Sequence, residues 1–331
     1  MPIWLNARDI AALLTMADAI AAVEEAFRQL ALGDVALPQR VGIGMARYGG
    51  GDAAMPAYVG GEVNGLGLKL VTLYADNPAR YGLAAVQATL VLLDPRNGQL
   101  QAVMDAGALT TLRTGAVGGV AARYLARKRA TCATVFGAGV QGRAQLEALC
   151  AVRPIQRAWI VDRVPAAAHA FAATMSAQLG LPISPATDLR AAVADVILTA
   201  TTAHEPLFDG NWRQPRVHIS GIGSHAPAAR ELDTATVQRA RVVTDQTAAC
   251  LAEAGDLIIP LREGAITEAH IAAQLGEVIV GRKPSRTAED EITLFKSVGL
   301  AIQDIAVAAQ VYRHALATGR GQPLLNEWNP L

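Results

Sequence analysis

A glycine-rich segment in the middle of the chain constrains the fold more than any other feature. The run Ala133-Thr-Val-Phe-Gly137-Ala-Gly139-Val-Gln-Gly142 has the spacing Gly-x-Gly-x-x-Gly, after an apolar strand and before a helical stretch. Glycines at this spacing permit a tight turn, a close approach of backbone to a pyrophosphate, and close packing of helix on strand. The free N–H groups at the start of the helix then face the phosphates. The segment therefore predicts a dinucleotide-binding turn.

An acidic residue further along the chain supports this interpretation. The strand-like run Trp159-Ile-Val-Asp162 ends in an acid about 20 residues after Gly142, which is the spacing of the ribose ligand in dinucleotide-binding folds. A carboxylate there accepts hydrogen bonds from the adenosine ribose and disfavours a 2′-phosphate, whereas the adjacent Arg163 suits the 2′-phosphate of NADP(H). We predict NAD(H), with NADP(H) as the alternative, and the other role open to Asp162 is capping the next helix.

Strand-like and helix-like runs alternate around the glycine turn. Such alternation predicts parallel strands joined by right-handed crossovers, as in a doubly wound α/β domain. We assign residues 117–299 to this NAD(P)-binding Rossmann domain. Its predicted strands are Thr131–Phe136, Ala158–Val161, Val193–Ala200, Val217–Gly221 and Val242–Thr244, and its first predicted helices are Gln141–Ala151 and Ala166–Leu179.

The N-terminal part of the chain has short strand-like runs separated by glycines. Val86–Leu93 ends in the turn signature Asp94-Pro-Arg-Asn-Gly98, and Gln99–Met104 is predicted as its antiparallel partner. We expect the last helix of the chain to return to this part, so that residues 1–116 and 300–331 form one α+β domain. The flanking helices are predicted from Asn6 or Asp9 to Gly33 and from about Leu300 to Ala317.

The composition excludes several classes of function. With 29 basic and 29 acidic residues the net charge is zero, which gives no electrostatic footprint for nucleic acid or for an anionic membrane. No apolar stretch approaches the roughly 20 residues that a membrane span needs, and the first residues show no signal-peptide pattern. The 3 cysteines and 6 histidines lack metal-ligand spacing, so we predict no metal and a cytoplasmic location.

Several further segments match one family, in order along the chain. They resemble the ornithine cyclodeaminase/mu-crystallin family from about Arg40 to Asp304. The residues of the central segment are more similar to mu-crystallin-type ketimine reductases than to cyclodeaminases. Besides the glycine turn, the matching segments are Met55-Pro-Ala-Tyr58, Leu68-Lys69-Leu-Val-Thr72, Gln87-Ala-Thr-Leu-Val-Leu-Leu-Asp94, Ala102-Val-Met-Asp105, Thr111-Leu-Arg113-Thr114-Gly-Ala, Glu231-Leu-Asp233 and Thr293-Leu-Phe-Lys-Ser-Val-Gly299.

The resemblance implies a homodimer in which the α+β domain serves substrate binding and dimerisation. It also implies a substrate among the α-amino or α-imino acids. We expect an NAD(P)H-dependent reductase that transfers hydride to the C=N bond of cyclic ketimines, such as pyrroline-2-carboxylate or piperideine-2-carboxylate, or of acyclic imino acids. The alternatives are an ornithine or lysine cyclodeaminase with tightly bound NAD, an alanine-type amino-acid dehydrogenase, and a non-catalytic NAD(P)H-dependent binding protein.

The resemblance places three cations at the substrate carboxylate: Arg40, Lys69 and Arg113. Their chemistry suits that role, because a guanidinium binds a carboxylate through two parallel hydrogen bonds and a buried anion needs compensating positive charge. Lys69 interrupts an apolar strand and is also expected to polarise or protonate the substrate. Gln87 is expected to point inward from the next strand, where it serves either as a further polar contact or simply in packing.

Cofactor contacts are predicted from the glycine turn and from the ends of the following strands. His225 stands where cyclodeaminases carry a general-base aspartate, so cyclodeamination is the activity that this difference most disfavours, and His225 is a candidate acid or base. A helical stretch is predicted from Leu109 to about Arg127. Arg113 is expected near its start, where Thr114 and the neighbouring N–H groups can meet the diphosphate. The full set of predicted cofactor ligands is Arg113, Thr114, Gly137, Ala138, Gly139, Val140, Gln141, Gly142, Asp162, Arg163, Thr199, Ala200, Thr201, Gly223 and Ser224.

Overall fold

A computed structural model describes residues 1–187, 194–211 and 215–324 of the chain. The chain divides into two compact units, Met1–Arg113 with Leu300–Leu331 and Thr114–Gly299. Each unit has its own sheet. No helix within the described residues is long and apolar enough to cross a membrane.

The elements are numbered along the chain. The strands are β1 Ile3–Leu5, β2 Val35–Ala36, β3 Val41–Met45, β4 Gly50–Val59, β5 Gly65–Tyr74, β6 Val86–Leu93, β7 Leu100–Asp105, β8 Cys132–Phe136, β9 Arg157–Val161, β10 Ile183–Pro185, β11 Val196–Thr199, β12 His218–Gly221, β13 Ala240–Thr244, β14 Ile271–Gln274, β15 Ile292–Lys296 and β16 Gln322–Pro323. The helices are α1 Ala7–Leu13, α2 Met16–Leu32, α3 Asn77–Tyr81, α4 Ala106–Leu125, α5 Val140–Val152, α6 Pro165–Leu179, α7 Thr234–Arg239, α8 Thr247–Glu253, α9 Gly255–Arg262, α10 Leu275–Ile279 and α11 Ala301–Thr318.

The first predicted helix is two helices in the structure. Asn6 caps α1, and the chain then breaks at Leu14 before Thr15 caps α2. Thr15 and Asp18 form a reciprocal capping box, in which each side chain binds the other residue's backbone N–H. This local arrangement satisfies the free donors of a new helix start and so outweighs the continuous apolar periodicity. The predicted stop at Gly33 is correct, since Gly33 ends α2 with a φ of 83°.

The first unit contains a mixed sheet with the order β16-β1-β7-β6-β5-β4-β2, and β3 pairs with β4. The β6–β7 hairpin is antiparallel, as its turn signature predicts. One face of β5 lies against α11, because Gly65 and Gly67 leave room for that helix. A Cβ at Gly67 would lie 2.8 Å from Ile305 Cδ1 and 2.5 Å from the Val91 carbonyl oxygen.

The second unit contains a parallel sheet with the order β10-β9-β8-β11-β12-β15-β13-β14. All of its pairings are parallel, which confirms the predicted doubly wound α/β fold. The strand order reverses direction between β8 and β11, and ligands of such sheets bind beyond the carboxyl ends of the strands at that point. Of the predicted strand 193–200, Val193 lies outside the described residues.

Two apolar clusters cover the two faces of this parallel sheet. Val135 and Leu198 pack with Phe171 of α6 in one cluster, while Phe136 and Ile197 pack in the other. Since neighbouring residues of a strand point to opposite faces, both faces are buried. This accounts for apolar runs without alternation in the sequence of these strands.

We expect Gly67→Ala to lower the free energy of unfolding by about 1–3 kcal/mol, because the new methyl overlaps α11 and the neighbouring strand. Urea unfolding followed by circular dichroism measures the change. Gly44→Ala is the matched control, since Gly44 is a strand glycine whose Cβ would meet nothing within 4 Å. Equal stabilities of the two variants would contradict the close packing of α11 on β5.

Candidate substrate and cofactor sites

Lys69 lies on the face of β5 that contacts α11 and is only 2% exposed. Its Nζ lies 2.8 Å from Oδ2 of Asp304, whose side chain is fully buried in the first turn of α11. A lysine on an apolar strand face requires a partner because an isolated buried ammonium is costly. Asp304 is that partner.

Asp304 is shared between two cations. Its Oδ1 accepts a hydrogen bond of 3.0 Å from Arg113 Nε, and Arg113 Nη1 donates to Gln303 Oε1 at 2.9 Å. The substrate cations predicted from the sequence, Lys69 and Arg113, are thus brought together on one carboxylate. A single carboxylate neutralises one of two positive charges, so the cluster retains positive charge for an anionic ligand.

The surroundings of Lys69 lower the pKa of its ammonium to about 8, from an ordinary value near 10.5. Burial is the largest cause, and the positive charges of Arg113 and Arg40 act in the same direction. Asp304 opposes them through its charge and its hydrogen bond. Arg40, which lies just before β3, is therefore close enough to act on Lys69 electrostatically.

Sequence reasoning missed Asp304 and Gln303, and it placed Gln87 wrongly. Gln87 is exposed and pairs with Thr72, three residues from Lys69, so it points to the opposite face of the sheet. The predicted inward direction of Gln87 is therefore wrong. The signal for Asp304 is an acid in the first turn of the mostly apolar last helix, although an acid there is equally explained by the helix dipole.

The glycine turn has the geometry that a pyrophosphate requires. Gly137 has a φ of 100°, and a Cβ there would lie 2.5 Å from the Ala200 carbonyl oxygen. A Cβ at Gly142 would lie 2.0 Å from the Gly137 carbonyl oxygen. Gly139 is the N-cap of α5 and carries no capping side chain, so the first N–H groups of α5 stay available to an anion. Gln141 Oε1 is buried and has no hydrogen-bond partner among the described residues.

Asp162 lies at the carboxyl end of β9, beside the turn. Its Oδ2 accepts from Ala138 N and its Oδ1 from Val164 N, both at 2.8 Å. The alternative role as a helix cap is wrong, because Val164 is the N-cap of α6 and no side chain caps that helix. Each oxygen of Asp162 keeps a lone pair for a ribose hydroxyl. Arg163 is exposed next to it, so these residues fit a dinucleotide.

The structure places Arg113 and Thr114 further inside a helix than their predicted position near its start. α4 begins at Ala106, so both residues lie in its interior, where backbone N–H groups bond to the preceding turn. The Thr114 N–H is therefore not available to a diphosphate. The Thr114 carbonyl oxygen accepts a hydrogen bond from the Gln145 side chain.

The remaining predicted cofactor ligands lie at the carboxyl ends of β11 and β12. Thr199 and Ser224 are buried, while Ala200, Thr201 and Gly223 are half-buried. His225 follows them and is exposed, and its Nδ1 donates to the Gly223 carbonyl oxygen at 2.9 Å. That bond fixes the tautomer when the ring is neutral, so Nε2 is then the nitrogen open to a ligand. The roles of these residues remain predictions.

Comparison with known proteins decides the family. The family model described as "Ornithine cyclodeaminase/mu-crystallin family" matches residues 2–319. The chain belongs to this family. The resemblance inferred from the sequence motifs is thereby confirmed over nearly the whole chain.

Three relatives extend the comparison. The structure of Thermococcus litoralis Delta(1)-pyrroline-2-carboxylate reductase in complex with NADH and L-proline is 41% identical, with a TM-score of 0.93 over 97% of this chain and 100% of that one. An archaeal alanine dehydrogenase dimer with bound NAD is 37% identical, with a TM-score of 0.92 over 98% and 99%. Delta(1)-pyrroline-2-carboxylate reductase from Bacillus cereus is 34% identical over 96% of this chain and 98% of its own.

We expect NMR titration to give Lys69 a pKa near 8 and Lys296 a pKa above the ordinary lysine value, since Asp256 and Glu231 raise the latter. The chain has only two other lysines, Lys128 and Lys283, so ¹³Cε-labelled lysine gives a resolvable spectrum. Asp304→Asn removes the anion that raises the pKa of Lys69, which must then fall.

Arg40→Gln removes a cation that lowers the pKa of Lys69, which must then rise. In both variants Lys296 is the internal control and keeps its value. Shifts of Lys69 in the same direction in the two variants would contradict the electrostatic arrangement described above.

Proposed function

We propose that the chain is an NAD(P)H-dependent reductase of α-imino acids that delivers hydride to the carbon of a C=N bond. The observation that carries the proposal is the buried cluster in which Lys69 and Arg113 share Asp304. Two of the relatives are Delta(1)-pyrroline-2-carboxylate reductases, and they support the class of reaction expected from the sequence. We assign the α-imino acid to the unit of Met1–Arg113 with Leu300–Leu331 and the dinucleotide to the unit of Thr114–Gly299.

The cations of the first unit have two separate tasks. Arg113 is held by Asp304 and Gln303, so its planar guanidinium is fixed before substrate arrives and offers its remaining N–H groups to the substrate carboxylate. Arg40 adds positive charge at the same cluster. Lys69 holds a proton whose pKa of about 8 lies close to neutral pH, where transfer between a side chain and a substrate nitrogen is most effective.

The bound dinucleotide supplies the hydride when it is reduced. The N–H groups of α5 bind its pyrophosphate, and Asp162 binds its adenosine ribose, which favours NAD(H) over NADP(H). Lys69 gives or relays one proton to the imine nitrogen, which makes the neighbouring carbon a better hydride acceptor. The balance is one hydride to carbon and one proton to nitrogen, and the product is an α-amino acid.

Cyclodeamination is the competing activity within the family. It requires a base for the amine, which the resemblance places at the position of His225. A histidine there cannot provide the fixed negative charge of an aspartate to a cationic amine. Alanine dehydrogenation is the same hydride transfer in the opposite direction with a smaller substrate, and the archaeal alanine dehydrogenase relative makes it the second candidate.

We expect NADH oxidation with pyrroline-2-carboxylate or piperideine-2-carboxylate, and a fall of at least about 100-fold in kcat/KM for Lys69→Met, with the NADH Kd unchanged. The assay compares these substrates with iminosuccinate and with pyruvate plus ammonia, each with NADH and NADPH. Lys128→Met is the control, since Lys128 is exposed.

Each competing function predicts a different result in this assay. Ammonia and proline formed from ornithine without net NADH change would establish a cyclodeaminase instead. Tight NADH binding with no turnover of any imino acid would establish a binding protein. Full activity of Lys69→Met would show that the substrate site is wrongly assigned.

We further propose that the chain is a homodimer that associates through the sheet face pointing away from Lys69. On this face Val41 of β3 and Leu70 of β5 lie on either side of Ala54 of β4, with which both are paired. Ile43 of β3 lies on the same face. Val41 is 66% exposed, Leu70 is 42% exposed and Ile43 is 60% exposed. An exposed apolar group on a sheet face is typical of a subunit interface, and the archaeal relative is a dimer.

We expect sedimentation equilibrium to give about twice the chain mass of 34.6 kDa, and the double variant Ile43→Asp, Leu70→Asp to sediment as a monomer, because two buried charges per subunit oppose association. Leu316→Asp is the control, since Leu316 is 58% exposed on α11 and lies outside this face. A double variant that remains dimeric would contradict the proposed interface.

A further inference from the structure

Glu231 is a fully buried acid that the substrate and cofactor chemistry described above does not use. It lies in the segment between β12 and α7, in the Glu231-Leu-Asp233 motif that carries part of the family resemblance. Its carboxylate contacts both loops to which the predicted cofactor ligands of β11 and β12 belong. This position makes Glu231 a candidate for holding the loops that carry the predicted dinucleotide ligands.

Each carboxylate oxygen of Glu231 accepts one backbone N–H and one hydroxyl. Oε1 accepts from Thr201 N at 2.7 Å and from Thr201 Oγ1 at 2.8 Å. Oε2 accepts from Gly223 N at 2.8 Å and from Thr199 Oγ1 at 2.7 Å. Four donors fill the acceptor capacity of a carboxylate. The loop after β11 and the loop after β12 are thereby joined through one side chain.

The backbone of Glu231 is itself held by Asp256 of α9. Oδ1 of Asp256 accepts from the backbone N–H groups of Glu231 and Leu232 at 2.8 and 2.9 Å. Oδ2 of Asp256 lies 2.8 Å from Nζ of Lys296 at the end of β15, and both of these side chains are fully buried. The charges of Asp256 and Glu231 oppose the effect of burial and raise the pKa of Lys296. The acid is therefore part of a connected buried network.

The loop after β12 needs a glycine to make this contact. A Cβ at Gly223 would lie 2.4 Å from Glu231 Oε1 and 2.4 Å from the Thr201 carbonyl oxygen. The loop after β11 is packed equally closely against the glycine turn, since a Cβ at Gly137 would lie 2.5 Å from the Ala200 carbonyl oxygen. Three successive turns at the carboxyl ends of β8, β11 and β12 are thus packed side by side.

We infer that Glu231 is a positioning residue that holds residues 199–201 and 223–224 in the conformation that binds the dinucleotide. It acts on the cofactor through these loops. The inference rests on the proposed cofactor and is independent of the imino-acid substrate. Its basis is that one buried carboxylate supplies the acceptor for a backbone N–H of each loop.

The test is Glu231→Gln, measured by NADH fluorescence on the full chain. An amide keeps the size of the side chain but replaces one oxygen with an NH₂ group. In either orientation that NH₂ faces a backbone N–H, of Thr201 or of Gly223, which cannot reverse its role. One loop must lose its acceptor, and we expect the NADH Kd to rise at least about tenfold, with a smaller effect on KM for the imino acid.

Asp245→Asn is the matched control for a general loss of stability. Asp245 is also fully buried, and its Oδ2 accepts from Val298 N and Gly299 N at 2.9 Å, but it bonds neither loop. We expect this variant to be destabilised while its NADH Kd stays at the wild-type value. An equal loss of NADH binding in Asp245→Asn would overturn the inference, as would wild-type NADH binding by Glu231→Gln.

Thr199→Val provides a second test if Glu231→Gln does not fold. It removes one of the four bonds and keeps the shape of the side chain, and we expect the NADH Kd to rise by about twofold to tenfold. An unchanged Kd would overturn the inference.

The two proposals fail separately, because NADH binding without turnover of any imino acid removes only the proposed function. Turnover by a Glu231→Gln variant that binds NADH normally removes only the inference.

Discussion

The buried carboxylate of Asp304 is the interaction on which the first unit depends. It is the anion that permits Lys69 to be buried, and it holds the guanidinium of Arg113 in one orientation. Removing one partner of such a buried pair leaves a charge without compensation, which is costly in a medium of low polarity. The position of α11, set by two glycines of β5, therefore determines whether the cluster forms.

The second unit uses a half-buried acid, Asp162, and a fully buried one, Glu231, in a related way. Asp162 bonds the backbone of the glycine turn, and Glu231 bonds the loops after β11 and β12. In each case a carboxylate accepts N–H groups from segments that have no regular partner in the sheet. The loops around the carboxyl ends of the strands are thus held by side chains, which is how irregular backbone keeps a defined conformation at a binding site.

The sequence predicts the parts of the fold that depend on local patterns. The glycine turn, the acid at the end of β9 and the bounds of β6 follow from spacing and turn chemistry, and the structure has them where they are expected. The break between α1 and α2 is also local, but the capping box at Thr15 is a weaker signal than the apolar periodicity around it. α4 begins at Ala106, three residues before the predicted start at Leu109. The sequence does not predict these three residues as helix, because the run Ala106-Gly-Ala gives no helical periodicity.

The partners of the buried charges depend on long-range packing and are harder to predict. Lys69 is recognisable as an exception in an apolar strand, but nothing local says that its partner is Asp304. The direction of Gln87 depends on the strand register, because a shift of one residue exchanges the faces of a strand. Glu231 belongs to a motif of the family, yet its contacts with Thr199, Thr201 and Gly223 require the folded loops. Family resemblance identifies such residues, and geometry explains them.

The discontinuity of the first unit has a consequence for biosynthesis. Asp304 lies near the end of the chain, whereas Lys69 and Arg113 are made much earlier, and the whole of Thr114–Gly299 separates them. Since the chain is synthesised from its N-terminus, every strand of the parallel sheet is made before α11. Until then Lys69 has no carboxylate, and its strand presents glycines to solvent instead of to a helix. The unit that carries the cluster of Lys69, Arg113 and Asp304 therefore cannot close before α11 has been made.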